Sequence, residues 1–435
     1  MVWLRATGGR ALALAALGAL FALLLRYGLS TPEKYGFPNF YMEEGYLYFK
    51  YAFEHGWAAI AAPHRGYYAA VPTVATALAA HSVPLAYAAH LTTGIGLLVC
   101  LATFLAVFLP GFPLRGAAPR FALCLVLSLS PLFYSKTHTT YAHVYAAFLA
   151  LLLLLAIPAQ RWERPLLPVA LACAGVASVM ASALAPVAWG RWLLARNRGE
   201  LAKALILSGA AAFHAAVFFS QSAQVSDTRL AGFGWDLPFL LVGTKVFAAS
   251  FGGLDAMEAT GRALYRDVSG GQAAWGLRLL CFAGAALVVY LLYGPGHWRE
   301  LARRRVSTTG ATLLFGFLAL LGFGYFFGET HRAGKAAMLV DHHRYFAAPN
   351  AILATALFVH ASRAGGRRAR RLLWIAFAWV AVASAVSLVR CEPQRVIYTR
   401  TSWKSQIEGW DRSRGAAIRI VPQGVVVRLE PERVR

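Results

Sequence analysis

Two adjacent carboxylates, Glu43 and Glu44, open the segment MEEGYLYFKYAFEHGW at residues 42–57. Aromatic side chains recur along it, which predicts an amphipathic helix lying at a membrane interface. Partial burial there would raise the pKa of a carboxyl group and make it a competent general base. A structural role is the alternative, since acidic residues at the start of a helix stabilise its dipole. Spacing alone leaves both interpretations open.

A second group of ionisable residues lies in ETHRAGKAAMLVDHHRYFAAP, residues 329–349, between two apolar runs. Loops outside the cytoplasm are usually poor in basic residues, so a basic cluster there needs a reason. Arginine and histidine donate charge-assisted hydrogen bonds to phosphate oxygens, which predicts an anion site. Anchoring to lipid headgroups is the alternative, and the histidine spacing does not favour a metal site. The candidate phosphate ligands are His331, Arg332, Lys335, His342, His343 and Arg344.

Smaller groups lie at the same predicted membrane level, in PHRGYY at 63–68 and SPLFYSKTHTTYAHVYAAF at 130–148. A lone histidine is more often structural than functional, so these groups only support the first two. The candidate substrate-binding residues are His64, Arg65, Tyr67, Lys136, His138 and His143. An apolar stretch at 237–251 is short enough to be re-entrant and to line a cavity.

The elements that position these residues are predicted to be membrane helices. Hydrophobic residues make up 58% of the chain and charged residues 14%, against about a quarter charged in soluble domains. Continuous apolar runs approach or reach the roughly 20 residues that cross a bilayer. We count about ten to twelve such runs, which predicts an all-α polytopic membrane protein rather than an alternating β-barrel.

The net charge of +23 comes mostly from short basic clusters between apolar runs. This distribution is typical of cytoplasmic loops and disfavours nucleic-acid binding. The five cysteines form neither a metal spacing nor a disulfide framework. The predicted cytoplasmic clusters are 115–120, 161–164, 191–203, 299–305 and 363–371. The remaining connections are predicted to be external: 29–67, 133–142, 221–272, 328–346 and the tail from 391.

The local structure of three segments is less regular than that of the long apolar runs. If the cluster at 115–120 is cytoplasmic, residues 67–109 make one net crossing, as a half-buried piece before a span from about residue 86. Two full spans around HSVP would instead place the loop at 110–120 outside. The stretch at 166–194 predicts two short helices that meet near Ser182. The polar tail, 391–435, ends in IRIVPQGVVVRLEP, which predicts a strand pair around a Pro-Gln-Gly turn. This tail is either a solvated appendage or a lid over an external site.

The order of these features resembles the GT-C superfamily of integral-membrane glycosyltransferases. The stretch MEEGYLYFKYAFEHGWAAIAAPHRGYYAAVP is similar to the acid-acid-Gly, aromatic and "GY…P" pattern of bacterial members. SPLFYSKTHTTYAHVY and RYFAAP occupy the positions of external-face motifs. The resemblance implies a bundle of about ten to twelve transmembrane helices, with interfacial helices in the first external loop. Residues 1–390 would form the transferase domain and 391–435 a small external segment.

The resemblance also implies an inverting transfer of a sugar from a polyprenyl-phosphate donor to a glycan, lipid or protein acceptor. The reaction would take place at the extracytoplasmic face of a bacterial inner membrane. Glu43 or Glu44 would be the base, with Glu44 favoured because it directly precedes Gly45, although family patterns usually carry aspartates there. Later basic residues would hold the donor phosphate. A divalent metal, Mg²⁺ or Mn²⁺, could help the phosphate leave, but no residue pattern demands one.

Two other classes remain open. A transporter or flippase of a lipid-linked or anionic sugar would place ionisable residues and broken helices at the bilayer midplane. The apolar runs contain few ionisable residues, His214 and Lys245 among them, and no internal repeat, which favours an enzyme. An O-antigen polymerase or ligase usually has one large external loop rich in arginine and histidine, rather than an early acid pair. A non-catalytic scaffold would not need acids and bases on one side.

Overall fold

The structure is a computed structural model of the 435-residue chain. The residues that it describes are 2–30, 39–40, 43–64, 67–129, 138–221, 236–270, 274–295, 297–298, 306–327, 335–340, 343–364, 366–395, 402–408, 416–420 and 425–429.

Helices dominate the described residues. In chain order they are Val2–Ser30, Glu44–Phe49, Lys50–His55, Gly56–Ala61, Ala70–His81, Leu85–Tyr87, Ala88–Leu105, Ala106–Phe108, Ala117–Leu129, Thr139–Tyr141, Ala142–Leu155, Glu163–Ala177, Val179–Ser182, Ala185–Ala195, Arg198–Ser220, Leu237–Leu241, Val242–Ala248, Ala249–Gly270, Trp275–Tyr293, Thr308–Phe327, Lys335–Leu339, His343–Phe346, Ala347–Arg363, Arg367–Arg395 and Trp403–Glu408. The strands Ala416–Ile420 and Val425–Leu429 form an antiparallel hairpin that pairs Ile420 with Val425.

The chain is an all-α, multi-pass membrane protein. Among the described residues, six helices are long and apolar enough to cross a bilayer, or seven if one bent pair is counted as a span. Four further apolar helices among the described residues are 10–17 residues long, such as Ala70–His81 and Ala117–Leu129.

Apolar side chains cover the outside of the bundle as well as its interior. Leu279 on one long helix is 67% exposed and Ile375 on another is 64% exposed. Such continuous exposed apolar surface is unfavourable in water but suits the acyl chains of a bilayer. Trp162 and Trp275, both well exposed, lie at helix ends, where tryptophan favours the membrane interface.

The buried helix Ala142–Leu155 defines the two ends of the bundle. Before its first residue, Thr139 contacts Glu44, and we call this the Glu44 end. Beyond its last residue, the carbonyl oxygen of Ala156 accepts a hydrogen bond of 2.7 Å from Lys203 Nζ, and we call this the Lys203 end. The helix and its first turn separate the two ends by about 24 Å, at 1.5 Å per residue.

A buried ionic network closes the Lys203 end. The Arg191 guanidinium donates to both Glu200 carboxylate oxygens, at 2.8 and 3.0 Å, and to Thr312 Oγ1 at 2.9 Å. Lys203 Nζ donates to the same carboxylate at 3.1 Å. The sequence predicted a cytoplasmic basic cluster at 191–203, and within it Arg191 and Lys203 are buried and share one counter-charge.

Two other buried charged side chains, those of Arg120 and Glu163, bind backbone groups at the same end. Arg120 donates to four carbonyl groups, which are those of Leu109, Pro110, Phe112 and Leu114. Glu163 accepts from the backbone N–H of Gly111 at 3.0 Å, and the Gly111 carbonyl accepts from Ile157 N at 2.9 Å. Each charged side chain binds backbone groups that lie outside regular helix, where the helical hydrogen-bond pattern is missing.

One apolar segment enters the bundle and turns back. The helices Glu163–Ala177 and Val179–Ala195 are bent by 117° at Ser178, and both outer ends lie at the Lys203 end. Ser178 Oγ donates to the His143 carbonyl at 2.6 Å and accepts from Ala181 N, which caps the second helix. The predicted pair of short helices is therefore present, with its break four residues before Ser182.

A second segment also doubles back. The segment Leu237–Ser269 has the length and apolar composition of one 33-residue membrane helix. Such a helix would be about 50 Å long if it were straight. However, Asp236 and Asp267, at its two ends, both bind Arg278, at 3.0 and 2.5 Å. The reversal follows from Gly253, whose φ of 80° interrupts the helix. The apolar stretch predicted to be re-entrant thus belongs to a segment that returns to its starting point.

This returning segment starts from the Glu44 end. Near the C-terminal end of the helix that carries Arg278, the carbonyl of Leu292 lies 3.0 Å from His360 Nε2. Arg363, one turn further along, donates to the Pro113 carbonyl at 2.9 Å, in the turn held at the Lys203 end. Arg278, near the opposite terminus of its helix, therefore lies toward the Glu44 end.

The structure also shows how residues 67–109 and the C-terminal tail fold. Ala70–His81 is a short apolar helix, and Leu85–Phe108 forms a 24-residue span, as in the first of the two predicted arrangements for 67–109. The predicted C-terminal strand pair is confirmed. The described parts of the tail do not form a solvated appendage, since Trp403 and the inward side chains of the hairpin are buried.

Candidate functional site

Glu44 lies fully buried at the start of the π-helical turn Glu44–Phe49. Its Oε1 accepts hydrogen bonds from Thr139, one from the backbone N–H at 3.0 Å and one from the hydroxyl group. Its Oε2 lies 3.4 Å from His138 Nδ1. The carboxylate thereby joins the first predicted external loop to the start of the Thr139–Leu155 helix, 95 residues further along the chain.

The pKa of Glu44 is lowered from its usual range. Burial alone raises it, but the adjacent His138, which attracts the carboxylate most strongly when its ring is protonated, and both hydrogen bonds from Thr139 outweigh burial. The sequence predicted a raised pKa, and this was wrong because burial was considered without the partners. The structural alternative is partly right: the carboxylate stabilises a helix start, though of another helix.

The lowered pKa of Glu44 predicts a pH dependence of stability. Since the unfolded chain binds the proton more readily, the stabilisation is complete above the unfolded pKa of about 4.3 and is lost as the pH falls through the lower folded pKa. Glutamine at position 44 cannot titrate. The difference in unfolding midpoint between wild type and Glu44→Gln in lipid nanodiscs should therefore shrink below about pH 4. A difference that stays constant with pH would contradict this linkage.

Aromatic and imidazole rings line the turn that follows Glu44. Tyr48, one turn along the same helix, is buried with its ring centroid 5.1 Å from that of His64. Tyr51 approaches His64 at 5.0 Å from another side. The backbone of His64 pairs with that of Tyr67 through two hydrogen bonds of 3.0 and 3.1 Å. This short bridge brings His64 and Tyr67 beside the face of the helix that carries Tyr48.

The structure brings together only part of the predicted site. His138 contacts Glu44, and His64 with Tyr67 lies against the same helix. His143 is half-buried, and its carbonyl accepts from Ser178. Glu43 precedes the helix as its N-cap and makes no side-chain capping bond.

Several predicted residues lie outside the described part of the chain. These are Arg65, Lys136, His331, Arg332 and His342. Lys335 falls within the short helix Lys335–Leu339, and His343 and Arg344 within His343–Phe346. For these three residues only the backbone is described.

Sequence reasoning gave no role to two residues that matter here. Thr139 supplies two of the bonds to Glu44, and a threonine at a helix start was the available signal. Lys245 is fully buried in the π-helical turn Val242–Ala248, and its carbonyl accepts from Asn350 Nδ2 at 2.7 Å. Asn350 Oδ1 in turn accepts from Ser250 Oγ at 2.7 Å.

Within the described residues, no group of three or more histidine, cysteine or acidic side chains is arranged to hold a metal ion. Comparison of the chain with protein-family models, with curated proteins and with solved structures found no match.

Proposed function

We propose that the chain is a membrane glycosyltransferase that takes a sugar from a polyprenyl-phosphate donor and activates its acceptor at the Glu44–His138 pair. The observation that carries this proposal is the buried Glu44 carboxylate held 3.4 Å from the His138 imidazole. A buried carboxylate beside Nδ1 orients the ring and stabilises the imidazolium that forms when Nε2 accepts a proton. Such a pair is suited to removing a proton from a hydroxyl group.

The reaction balances without further reagents. The acceptor oxygen forms a bond to the anomeric carbon as its proton passes to His138, and the bond from that carbon to the phosphate oxygen breaks. The electron pair leaves with the polyprenyl phosphate, and attack from the opposite face inverts the configuration. Glu44 acts through His138 in this scheme, rather than touching the acceptor itself, because both of its oxygens already face Thr139 and His138.

The distribution of charge supports an external position for this pair. The Lys203 end carries the basic segments around Arg115, Arg161, Arg196 and Arg363, which is typical of a cytoplasmic face. Glu44 and His138 lie at the opposite end. A donor with its lipid tail in the bilayer would present its phosphate and sugar at that level. The basic residues of 331–344 and the buried Lys245 are the candidates for balancing the phosphate charge.

A turnover assay tests the proposal. The purified protein in nanodiscs is given short-chain polyprenyl-phosphate donors of several sugars with a lipid and glycan acceptor panel, and release of polyprenyl phosphate is measured by mass spectrometry. We expect release from at least one donor, and a fall of about 10²-fold or more in His138→Gln, because general-base catalysis contributes about 10²- to 10⁴-fold.

His55→Gln is the matched control, since His55 is a neighbouring histidine that stacks on Tyr51 at 4.0 Å and does not contact Glu44. It should retain wild-type turnover. If every donor is left intact, or if His138→Gln and His55→Gln have equal activity, the transferase proposal fails.

A second candidate function, transport of an anionic lipid-linked sugar, has its own support. Lys245 is a fully buried cation in a segment that doubles back at Gly253, and another helix pair is bent by 117° at Ser178. Ionisable residues and broken helices are characteristic of transporters. Proteoliposomes separate the two functions: a transporter would move labelled donor between leaflets intact, whereas the transferase would cleave it without increasing that movement.

A further inference from the structure

The C-terminal tail packs on the helix that carries Glu44. Trp403 is fully buried, with its ring centroid 4.7 Å from that of Phe40 and 5.2 Å from that of Phe49. Its indole N–H donates to the Leu85 carbonyl at 2.7 Å. The large aromatic side chain is therefore fixed by packing and by a directional bond.

The hairpin Ala416–Ile420 and Val425–Leu429 makes a second contact with the same helix, at Gly45. A Cβ atom at this position would lie 2.7 Å from Ile420 Cδ1, 2.9 Å from Phe40 Cβ and 3.3 Å from Val427 Cγ2. Only glycine lets the hairpin approach this closely. The third residue of the acid-acid-Gly pattern is thus required by the tail, which lies more than 370 residues further along the chain.

Hydrogen bonds connect the parts of the tail to one another and to the first loop. The Asn39 side chain donates to the Arg419 carbonyl at 3.1 Å. Gln406 both donates to that carbonyl, at 3.0 Å, and accepts from Arg419 N at 2.9 Å. The Trp403–Glu408 helix and the hairpin therefore form one docked unit.

The Glu44 helix lies between two partners. Gly45 and Phe49, four residues apart, face the tail, while Glu44 and Tyr48 face Thr139, His138 and His64. Glu43, the N-cap of this six-residue turn, makes no side-chain capping bond. The position of the turn therefore depends on packing against its neighbours. Because both faces belong to one short helix, a shift or rotation of the helix relative to the tail would change the contacts of the carboxylate with Thr139 and His138.

We propose that the tail, through Trp403 and the hairpin contact at Gly45, is the positioning element that holds Glu44 against Thr139 and His138. Trp403 and Gly45 are positioning residues that act through Glu44. The proposal rests on the proposed function only where donor turnover is measured, since the protonation of the Glu44 carboxyl group can be measured without any substrate.

The test is an infrared pH titration of the Glu44 carboxyl group in nanodiscs, with its band assigned by its loss in Glu44→Gln. Trp403→Ala removes the anchor and Gly45→Ala inserts a methyl group beneath the hairpin. In both variants the carboxyl should stay protonated to a higher pH than in wild type, because it loses hydrogen bonds while remaining shielded from water. Trp403→Phe, which keeps the aromatic packing, should restore most of the wild-type titration.

Two variants are matched controls. Lys404→Ala alters the neighbouring exposed residue, which contacts Tyr87 and Glu408 at the surface. Gly94→Ala adds a methyl group where nothing lies within 4 Å. Both should titrate as wild type does, and donor turnover should fall at least about tenfold only in Trp403→Ala and Gly45→Ala.

A wild-type Glu44 titration in folded Trp403→Ala and Gly45→Ala would overturn the proposal. If Trp403→Ala does not fold, Gly45→Ala and Trp403→Phe decide alone. A shifted titration without turnover in any form, wild type included, would keep the positioning role and reject the proposed function.

Discussion

Donor turnover is expected to fall by about 10²- to 10⁴-fold when Glu44 is replaced by Gln, the range lost when a general base or its orienting carboxylate is removed. Glutamine has nearly the same volume but no charge, so His138 loses the anion that stabilises its protonated form. The amide can accept from Thr139 through its oxygen only, and its NH₂ group then faces His138 Nδ1. The ring is thereby favoured in the opposite tautomer.

The measurement is the rate of polyprenyl-phosphate release at saturating donor, with folding checked by size-exclusion chromatography. Glu43→Gln is the matched control, because Glu43 is adjacent, of the same type and without a side-chain capping bond. It should retain wild-type turnover. Equal rates in Glu44→Gln and Glu43→Gln would remove the carboxylate from the mechanism, and a loss confined to Glu43→Gln would transfer the role to that residue.

Replacing Glu200 by Ala is expected to reduce the free energy of unfolding by about 3–5 kcal/mol, the usual cost of removing one partner from a buried ion pair. Glu200 is the common partner of Arg191 and Lys203, and all three are buried. Its loss leaves two cations in the interior, of which one retains Thr312 and the other carbonyl groups as neutral acceptors. Uncompensated buried charge is unfavourable in a bundle surrounded by lipid.

Unfolding of the purified protein in mixed micelles, followed by circular dichroism against denaturant concentration, measures this effect. Glu54→Ala is the control, since its pair with Lys50 is a surface i, i+4 bridge at 3.7 Å, which is worth only about 0.3–0.5 kcal/mol. If Glu200→Ala and Glu54→Ala unfold at the same denaturant concentration, the network does not hold the Lys203 end together.

Much of the architecture follows from local patterns in the sequence. Apolar runs without charges have no stable place in water, so the membrane helices were predictable. The break near Ser182 was predictable from run length, and the doubling back of 237–251 from its shortness, within a few residues of Ser178 and Gly253. The strand pair at the C-terminus followed from alternating apolar residues around a turn.

The residue types of the candidate site were predictable, but the contacts between them and the direction of the Glu44 pKa shift were not. Glu44 stood out because acidic residues are few in this chain, and His138 because it lies at the same predicted membrane level, yet their contact joins positions far apart in sequence. The sign of the Glu44 pKa shift depends on which effect wins, burial or the bonds from Thr139 and His138. That balance exists only once the helix start at Thr139 has been placed beside the carboxylate.

The sequence by itself determined that this chain is helical, that it spans a membrane several times and which side chains are available for chemistry. These properties depend on hydrophobicity and on neighbours within a turn or two. Only the tertiary structure decided that Arg191 and Lys203 share Glu200, and that Gly45 serves the hairpin. The physical reason is that burial and charge compensation are properties of assembled surfaces, and segments hundreds of residues apart supply the two sides of each contact.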